Sequence, residues 1–231
     1  MNDVKIPLLT NIHTGLVLLW AIRLFLFLLH REFVSWPEWH VSIKNVNERQ
    51  KTLEARLPIW IATSLFYASM FFPCFSRMVQ TLAAHDTELT MNTSIWGFTG
   101  KFGICLQVVG LIVESVADHQ KGKFKRIPGN RSSWCNVGLW SFSTHPNYVG
   151  ESMFWLGTYF GGVGSQSITQ LPLGICSFAG VCGILAVMNG ACKTLSIKQN
   201  AKYKDNKQYL QFAESHGVLG PLLKRNKILH S

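Results

Sequence analysis

Three charged residues near the middle of the chain lie on one predicted helical face. Glu114 and Asp118 are four positions apart, and Lys121 follows three positions later. Side chains at this spacing share one face of an α-helix. An acid inside or at the edge of an apolar segment is costly unless it faces a cavity or a partner. The pattern favours functional carboxylates, whereas the alternative is structural pairing of Asp118 with Lys121 or of Glu114 with Arg23.

A second polar group stands at the start of a later apolar segment, in the sequence His145-Pro-Asn-Tyr148, with Glu151 just beyond it. Proline favours the first position of a helix, so we expect His145 near the cap and Asn147 in the first turn. A helix N-terminus offers free N–H groups and a partial positive charge, which suit a phosphate or another anion. The alternative is a polar cap at a membrane interface, with Tyr148 and Trp140 as interfacial aromatic residues.

The apolar residues that must position these groups come in long blocks. Hydrophobic residues make up 48% of the 231 positions, and most charged residues lie between the blocks. About 20 apolar residues suffice to cross the hydrocarbon core of a bilayer. The predicted spans are Ile12–Leu29, Leu57–Ser76, Ile95–Ala117, Pro146–Gly164 and Ile168–Cys192. The sequence therefore predicts an all-α fold, a multi-span transmembrane helical bundle of about five spans.

The basic residues are sorted between these spans. Of the 22 Lys and Arg residues, five follow span one, five follow span three and eight follow span five. With five spans, all three segments fall on one side of the membrane, and basic residues are enriched on the cytosolic side. The sorting predicts a multi-pass integral membrane protein with a cytosolic C-terminus. It also explains the net charge of +10 without a nucleic-acid partner.

The cysteines and the N-terminus exclude some classes of site and segment. None of the six cysteines forms a C-x-x-C pair. We therefore expect neither a disulfide framework nor a zinc site, and the sequence predicts no other metal site. The first apolar block lacks the cleavage pattern of a signal peptide, so we expect it to be a retained span.

The polar motifs also follow one another in a characteristic order. Their sequence is Glu114-x-x-x-Asp118-x-Gln-Lys121, then Gly138-Leu-Trp-Ser-x-Ser-x-His-Pro-Asn-Tyr148-x-Gly-Glu151, then Trp155 and Gly157. This order strongly resembles the C-terminal half of the steroid 5-alpha-reductase-like membrane proteins, and within them the branch known as DUF1295. The similarity extends upstream to Trp20-x-x-Arg-Leu24 and downstream to Tyr203, Tyr209 and Pro221.

The resemblance implies a membrane enzyme that binds NADPH from the cytosolic side and reduces a carbon–carbon double bond of a sterol or another lipid. In such an enzyme the cofactor carries out the hydride chemistry, and the protein orients it. Carried over by motif, the cofactor contacts are Glu114, Asp118, Lys121, Lys125, His145, Asn147, Tyr148 and Glu151. Asp118 is expected beside a ribose hydroxyl or the adenine, because a carboxylate would repel a phosphate. No catalytic residue is assigned.

The chain departs from the pattern of its relatives in three places. Relatives usually carry one or two more spans before the segment at Trp20, and an acid and a Tyr of that region handle the substrate carbonyl. Here Trp20 occupies the Tyr position, and the acid has no counterpart. Thr144 stands where Arg is frequent, and Lys198-Gln199 where a Glu is common. We therefore expect one membrane-embedded domain over residues 1–231, shortened at its N-terminus, with an intact cofactor site.

Two other functions stay open at this point. One is an S-adenosylmethionine-dependent methyltransferase, similar to the isoprenylcysteine carboxyl methyltransferases, which share the His-Pro-x-Tyr-x-Gly theme. Those enzymes have an acidic pair after the last span, where this chain has Lys198 and Gln199. The other is a non-catalytic relative that keeps the fold. For the reductase we expect a lipid or sterol-like substrate that enters from the bilayer, and the family implies the endoplasmic reticulum.

Overall fold

The protein is helical throughout the part of the chain that the computed structural model describes, which is residues 8–30, 33, 52–85, 95–163 and 171–217. No β-strand occurs in these ranges. The helices are α1 (Leu8–His30), α2 (Leu53–His85), α3 (Ile95–Arg126), α4 (Pro146–Val163), α5 (Leu171–Lys202) and α6 (Lys207–Ser215), with a short 3₁₀ helix, η1, at Gly138–Ser141.

Four segments of these helices are long and apolar enough to cross a membrane. They are Leu8–His30, Arg56–Val79, Gly97–Arg126 and Pro172–Lys202. Helix α4, the fourth span of the sequence prediction, has 18 residues but is too polar to meet the same standard. Since four of about five predicted spans meet it, the all-α, multi-span fold class is confirmed.

The helices extend beyond the apolar blocks from which they were predicted. Helix α2 covers more than Leu57–Ser76, and α3 continues past Ala117 to Arg126. The predicted third span therefore ends more than two turns before its helix does. Backbone hydrogen bonds continue wherever φ and ψ stay helical, whereas hydropathy marks only the part that hydrocarbon surrounds. The start of predicted span five lies outside the described residues.

The chain divides into two compact units. Unit 1 comprises residues 1–104 and 158–180, and unit 2 comprises residues 105–157 and 181–231. The described part of unit 1 holds α1, α2, the first residues of α3 and α5, and the last residues of α4. The described part of unit 2 holds the rest of those three helices together with η1 and α6.

Unit 1 contains a cluster of buried polar side chains, which we call the His13 cluster: Thr10, His13, Cys74 and Arg77. The ring Nε2 of His13 lies 3.1 Å from the carbonyl oxygen of Thr158 and 3.7 Å from Cys74 Sγ. Nε of Arg77 donates to Thr10 Oγ1 at 3.3 Å. Buried polar groups in native proteins are normally hydrogen-bonded. Here the contacts run between helices, so they join α1, α2 and the end of α4.

The end of α4 also needs partners for its carbonyl oxygens. The last four carbonyl oxygens of a helix have no N–H donor within the helix itself. Arg77 donates through its terminal nitrogen to the carbonyl of Gly161, which belongs to the last turn of α4. A cation at a helix C-terminus also offsets the partial negative charge there. Gly161 and Gly162 carry no side chain, which leaves room for His13 and Pro73 beside them.

Unit 2 is held together by a close approach of two helix backbones. A Cβ added at Gly110 of α3 would lie 2.6 Å from the carbonyl oxygen of Gly150 in α4. A Cβ added at Gly150 would collide with the backbone nitrogen of Glu114. Only glycine permits this separation, and small residues at such contacts are typical of helices that pack inside a membrane. The contact sets the position of α4 against the acidic face of α3.

Candidate functional site

The acidic face of α3 is turned towards the interior of unit 2. Gln107, Gly110, Glu114 and Ala117 recur at intervals of three or four residues and are all buried. Glu114 has only 4% of its surface exposed, and Asp118 one turn later is partly buried. Burying a carboxylate costs roughly several kcal/mol of folding free energy unless hydrogen-bond donors surround it. The predicted carboxylates therefore lie on a packed face.

Helix α4 begins at Pro146, as the motif predicts. The backbone N–H of His145 donates to Ser143 Oγ at 3.2 Å, and the carbonyl of His145 accepts from the N–H of Tyr148 at 3.1 Å. The cap position of His145 and the first-turn position of Asn147 are thus confirmed. The N–H groups of this turn carry the partial positive charge of a helix start.

The side chain of His145 points into unit 2 and is 2% exposed. Its Nε2 lies 3.2 Å from Oγ of Ser196, which α5 supplies. Its ring centroid is 5.7 Å from that of Tyr148. Because a histidine nitrogen either donates or accepts according to the tautomer, the hydroxyl of Ser196 can serve both forms. Ser196 thereby fixes the orientation of the ring.

Asn147 is a predicted site residue whose side-chain oxygen can accept a further hydrogen bond. Its Oδ1 atom is buried and has no hydrogen-bond partner among the described residues. An unsatisfied buried carbonyl costs about 1–3 kcal/mol, so such atoms are uncommon in native proteins. Glu151 follows at i+4 on the same helix face and is partly buried. An acceptor and a carboxylate therefore share this face of the first turns of α4.

The contact at Gly110 and Gly150 brings the two polar groups of the sequence analysis together. Glu114 contributes its backbone to that contact on α3. On α4, Asn147 stands three residues before Gly150, and Glu151 comes directly after it. The structure thus places Glu114 beside the turn that carries Asn147 and Glu151.

Lys121 is held by the aromatic ring of η1. Its Nζ lies 4.5 Å from the ring centroid of Trp140, a cation–π distance. The indole Nε1 of Trp140 donates to the carbonyl oxygen of Ala117 at 2.8 Å. The backbone N–H of Leu139 donates to Oε1 of Gln120 at 2.8 Å. These bonds fasten η1 to the last turns of α3 and fix the direction of Lys121.

Gly138 makes this attachment possible. Its φ of +58° lies in the left-handed region that favours glycine, and a Cβ there would collide with the side-chain amide of Gln120. The attached segment also supplies a small apolar core, which consists of Ala117, Cys135 and Trp140 with Phe124 and Leu139 against it. Burial raises the pKa of the Cys135 thiol, and this outweighs the opposing influences of a backbone hydrogen bond at Val137 and of Lys121 and Lys125.

Lys125 serves the backbone of the segment that follows α3. Its Nζ donates to the carbonyl oxygens of Asn130 at 3.4 Å and Arg131 at 3.1 Å, and also to that of Ser133. An ammonium group has three hydrogens, and three acceptors are sufficient to engage them. The structure therefore gives Lys125 a structural task, and its assignment as a cofactor contact stays a prediction.

The C-terminal tail returns to the same region. The hydroxyl of Tyr209 on α6 donates to Oδ1 of Asn200 at 2.8 Å, and the Tyr209 ring meets Trp134 edge-on with centroids 5.6 Å apart. The backbone N–H of Thr144 donates to the carbonyl of Gly217 at 3.3 Å. The tail is thus fastened next to the residue that precedes His145.

Several contributors to this region escaped the sequence reasoning. Ser196 and Trp134 were not singled out, because an isolated Ser in a span and a Trp in a loop have ordinary explanations. Gly110 carried a usable signal, since it is a glycine on the polar face of α3, whereas Gly150 stood in the motif without a packing role being given to it. The His13 cluster carried one as well, because Thr10 and His13 are polar residues at i and i+3 around the start of the first apolar block.

Comparison with known proteins bears on the family. The family described as Protein of unknown function (DUF1295) matches residues 5–216. No curated protein matches the chain, and no solved structure does. The match includes both polar groups and the whole of α6. The chain therefore belongs to the DUF1295 family.

Proposed function

We propose that this protein is a membrane oxidoreductase that uses NADPH to reduce a carbon–carbon double bond of a sterol or another lipid. The observation that carries the proposal is the buried, unpartnered Oδ1 of Asn147 at the start of α4, beside the acidic face of α3. A site that offers an unused acceptor, carboxylates and a helix N-terminus suits a ligand with hydroxyl groups, amide donors and phosphates. The resemblance to steroid 5-alpha-reductase-like proteins supports the same cofactor.

The residues present fit NADPH group by group. Oδ1 of Asn147 would accept a hydrogen bond from a ribose hydroxyl or from the nicotinamide carboxamide. The positive end of the α4 dipole and the ammonium of Lys121 would suit phosphate oxygens, because both carry positive charge. Glu114, Asp118 and Glu151 would accept from hydroxyl or amino groups away from the phosphates, since like charges repel.

When bound, NADPH supplies the hydride for the reduction. The chain's own residues bind and orient it. His145, held by Ser196, keeps a fixed ring orientation at the helix start. Trp140 limits the freedom of Lys121, so less side-chain entropy is lost when the ammonium meets an anion. The substrate is a lipid with an activated double bond, and it reaches the enzyme from the bilayer.

Binding of the cofactor is the first test, with detergent-purified protein and calorimetry. NADPH should bind with micromolar affinity, and Glu151→Ala should weaken binding by about tenfold or more, because it removes a charge-assisted hydrogen bond. Glu54→Ala is the matched control, since Glu54 is an exposed acid of α2. It should bind as the unmodified protein does. Binding of S-adenosylmethionine in place of NADPH would favour a methyltransferase instead.

Turnover is the second test, because a non-catalytic relative would also bind the cofactor. The protein in bilayer nanodiscs is supplied with NADPH and an enone sterol, and oxidation is followed by the loss of absorbance of the reduced nicotinamide. Product with a saturated bond is expected. Binding without turnover over a panel of enone lipids would mean that the site has lost its reductase activity.

We further propose that the C-terminus faces the cytosol and that the protein resides in the endoplasmic reticulum. The sorting of basic residues supports the orientation, and the family resemblance supports the organelle. A glycosylation reporter fused to the C-terminus should stay unmodified. Its modification would reverse the proposed orientation.

A further inference from the structure

Three lysine side chains from two helices come together in unit 2, and we call them the lysine cluster. Lys121 and Lys125 lie one turn apart near the end of α3, and Lys202 is the last residue of α5. The ammonium group of Lys125 is repelled by that of Lys202 and, less strongly, by that of Lys121. In the part of the chain that the structure describes, no carboxylate is among the charges that act on Lys125. The cluster therefore concentrates positive charge.

A row of aromatic rings connects the two sides of the lysine cluster. Nζ of Lys202 lies 5.3 Å from the ring centroid of Tyr203, and the Tyr203 ring is 5.0 Å from that of Tyr209. The Tyr209 ring in turn meets the Trp134 ring at 5.6 Å. Trp134 belongs to the segment whose backbone carbonyl oxygens bind Nζ of Lys125. The end of α5 is thus attached to the same segment that holds Lys125.

The ammonium groups of Lys125 and Lys202 differ in what they can still bind. Lys125 has three backbone carbonyl oxygens for its three hydrogens, so it adds charge but has no hydrogen left for a ligand. Lys202 is exposed and contacts the face of the Tyr203 ring. No ion pair joins Lys202 to an acid among the described residues. The hydrogens of Lys202 are therefore accessible to a ligand.

Lys202 also lines an open cavity of about 550 Å³ at the junction of α5 and α6. The charges of Asp205 and Lys207, which line the cavity as well, offset each other, so Lys202 decides the sign of the charge there. The other lining residues are Tyr203, Asn206 and Gln208. A ligand can therefore reach the cationic end of α5 from solvent.

A group of like charges without an acid favours an anion of high charge. Like charges that lie close together destabilise the compact state of a protein. A phosphate monoester carries about 1.5 to 2 negative charges at pH 7, so several cations can be neutralised by one such group. Lysine binds phosphate as a point charge, without the planar geometry that arginine imposes. The lysine cluster therefore suits a terminal phosphate.

The cluster lies on the helix face that carries the proposed cofactor contacts, but further along α3. Lys121 and Lys125 are seven and eleven residues beyond Glu114, which contacts α4 at Gly150. Eleven residues of helix span about 16 Å, so a ligand that reaches both places has to be long, as a dinucleotide is. The positive end of the α4 dipole suits the pyrophosphate of NADPH. The phosphate left for the lysine cluster is the one on the adenosine ribose.

We propose that Lys202, together with Lys121, binds the 2′-phosphate of NADPH and makes the site select NADPH over NADH. Lys125 adds to the positive potential without contacting the phosphate. The inference rests on the proposed function, because it concerns the same cofactor, and it adds the end of α5 to the site.

Pairs of ligands that differ only in the 2′-phosphate test the assignment, with detergent-purified full-length protein and calorimetry. The pairs are NADPH with NADH, and adenosine 2′,5′-bisphosphate with adenosine 5′-monophosphate. The unmodified protein should bind the 2′-phosphorylated member of each pair about tenfold more tightly, because a charge-assisted contact is added. Lys202→Gln should weaken NADPH binding about tenfold and leave NADH binding within about twofold of its original value.

The outcomes separate this inference from the proposed function. Equal affinities of the unmodified protein for NADPH and NADH would overturn the inference alone. A Lys202→Gln variant that binds both dinucleotides more weakly by the same factor would do so too, because the 2′-phosphate would then not be the group that Lys202 contacts. Binding of neither dinucleotide to the unmodified protein would contradict the proposed function and the inference with it.

Lys204→Gln is the matched control, since Lys204 is an exposed lysine of the same turn that does not line the cavity. It should keep the preference for NADPH, and an equal loss in both variants would reduce the effect to net charge and overturn the proposal. Lys202→Arg, which keeps the charge, should retain the preference. Without ligand, Lys202→Gln should melt no earlier than the unmodified protein, because it removes a repulsion. A lower melting temperature with weaker NADH binding would indicate a structural role and contradict the proposal.

Discussion

Both units bury a histidine where helices meet, but the surroundings of the two side chains differ. His13 in unit 1 contacts a carbonyl of α4 and the thiol of Cys74. Its ring packs against Gly161, where an added Cβ would lie 3.0 Å from Nε2 of His13. His145 in unit 2 stands at a helix start, with the hydroxyl of Ser196 on its ring. Near it, Oδ1 of Asn147 is buried without a partner among the described residues.

The comparison sets a cluster in which a cation is hydrogen-bonded by the chain itself against the group for which we propose a ligand. In the His13 cluster the cation of Arg77 meets acceptors that the chain itself supplies, one of them at the C-terminal end of α4. In unit 2 the polar residues surround the opposite end of that helix, where the helix dipole carries its partial positive charge. Burial alone does not separate the two cases, because both histidines are almost fully buried.

The largest effect is expected at the contact of α3 with α4. Gly150→Ala places a Cβ against the backbone of Glu114 and 2.8 Å from the carbonyl oxygen of Gly110, and neither can move without shifting a helix. We expect a loss of about 3 kcal/mol in stability, at the upper end of the usual cost of overpacking, and no NADPH binding. Thermal unfolding in detergent and calorimetry measure the two effects.

Gly190→Ala is the control for that experiment. No atom lies within 4 Å of the position that its Cβ would take. Since alanine favours a helix over glycine by about 1 kcal/mol, this variant should be slightly more stable than the unmodified protein. Equal melting temperatures for the two variants would refute the close helix contact.

The next effect concerns the His13 cluster and should touch stability alone. Arg77→Met leaves the carbonyl of Gly161 and the hydroxyl of Thr10 without this donor, at a cost of about 2 kcal/mol. The control is Lys101→Met on the exposed side of α3. The folded Arg77→Met protein should bind NADPH normally by calorimetry. If NADPH binding weakened while the melting temperature stayed the same, Arg77 would act on cofactor binding. The division between a stabilising cluster in unit 1 and a binding site in unit 2 would then be wrong.

A smaller effect is expected from the partner of His145. Ser196→Ala removes the hydroxyl beside Nε2, and a neutral hydrogen bond of this kind contributes about 1 kcal/mol. We expect NADPH affinity to fall about fivefold, with a small change in melting temperature. Ser196→Thr, which keeps the hydroxyl, should restore the affinity. Failure of the threonine variant to restore it would mean that Ser196 acts through packing.

The smallest effect is expected at Lys125. Lys125→Met frees the carbonyls of Asn130 and Arg131 to water, which costs on the order of 0.5 kcal/mol because the site is partly exposed. Limited proteolysis should cut the segment after Arg126 or Arg131 faster in this variant. The exposed neighbour Lys123→Met serves as the control and should be cut at the original rate. NADPH binding that falls tenfold instead would show that Lys125 contacts the cofactor directly.

Much of the fold followed from the sequence because membrane spans are long and apolar. The blocks around Val17, Leu65 and Leu185 lie inside helices that the structure shows as span candidates. The helix start at Pro146 also followed, since proline at the first position has a local steric cause. The ends of α3 and α5 did not, because polar residues continue a helix beyond the membrane without any change in hydropathy.

The site was also predicted in part, because the spacing of residues along one helix is visible in the sequence. Spacing along one helix placed Glu114 and Asp118 on a common face, and the motif placed Asn147 in a first turn. Spacing and motifs could not predict contacts between residues that are distant in the sequence. The bond from His145 to Ser196 and the interhelical approach at Gly110 depend on how helices pack, and that is set by the sum of many side chains.

The modest hydropathy of α4 has a consequence for biogenesis. Helix α4 is too polar to be a span candidate of its own, whereas α3 is one. During synthesis α3 can therefore leave the translocon alone, but α4 would enter lipid unaided only at a high cost. The glycine contact gives the nascent α4 a preformed partner, so its insertion should depend on α3.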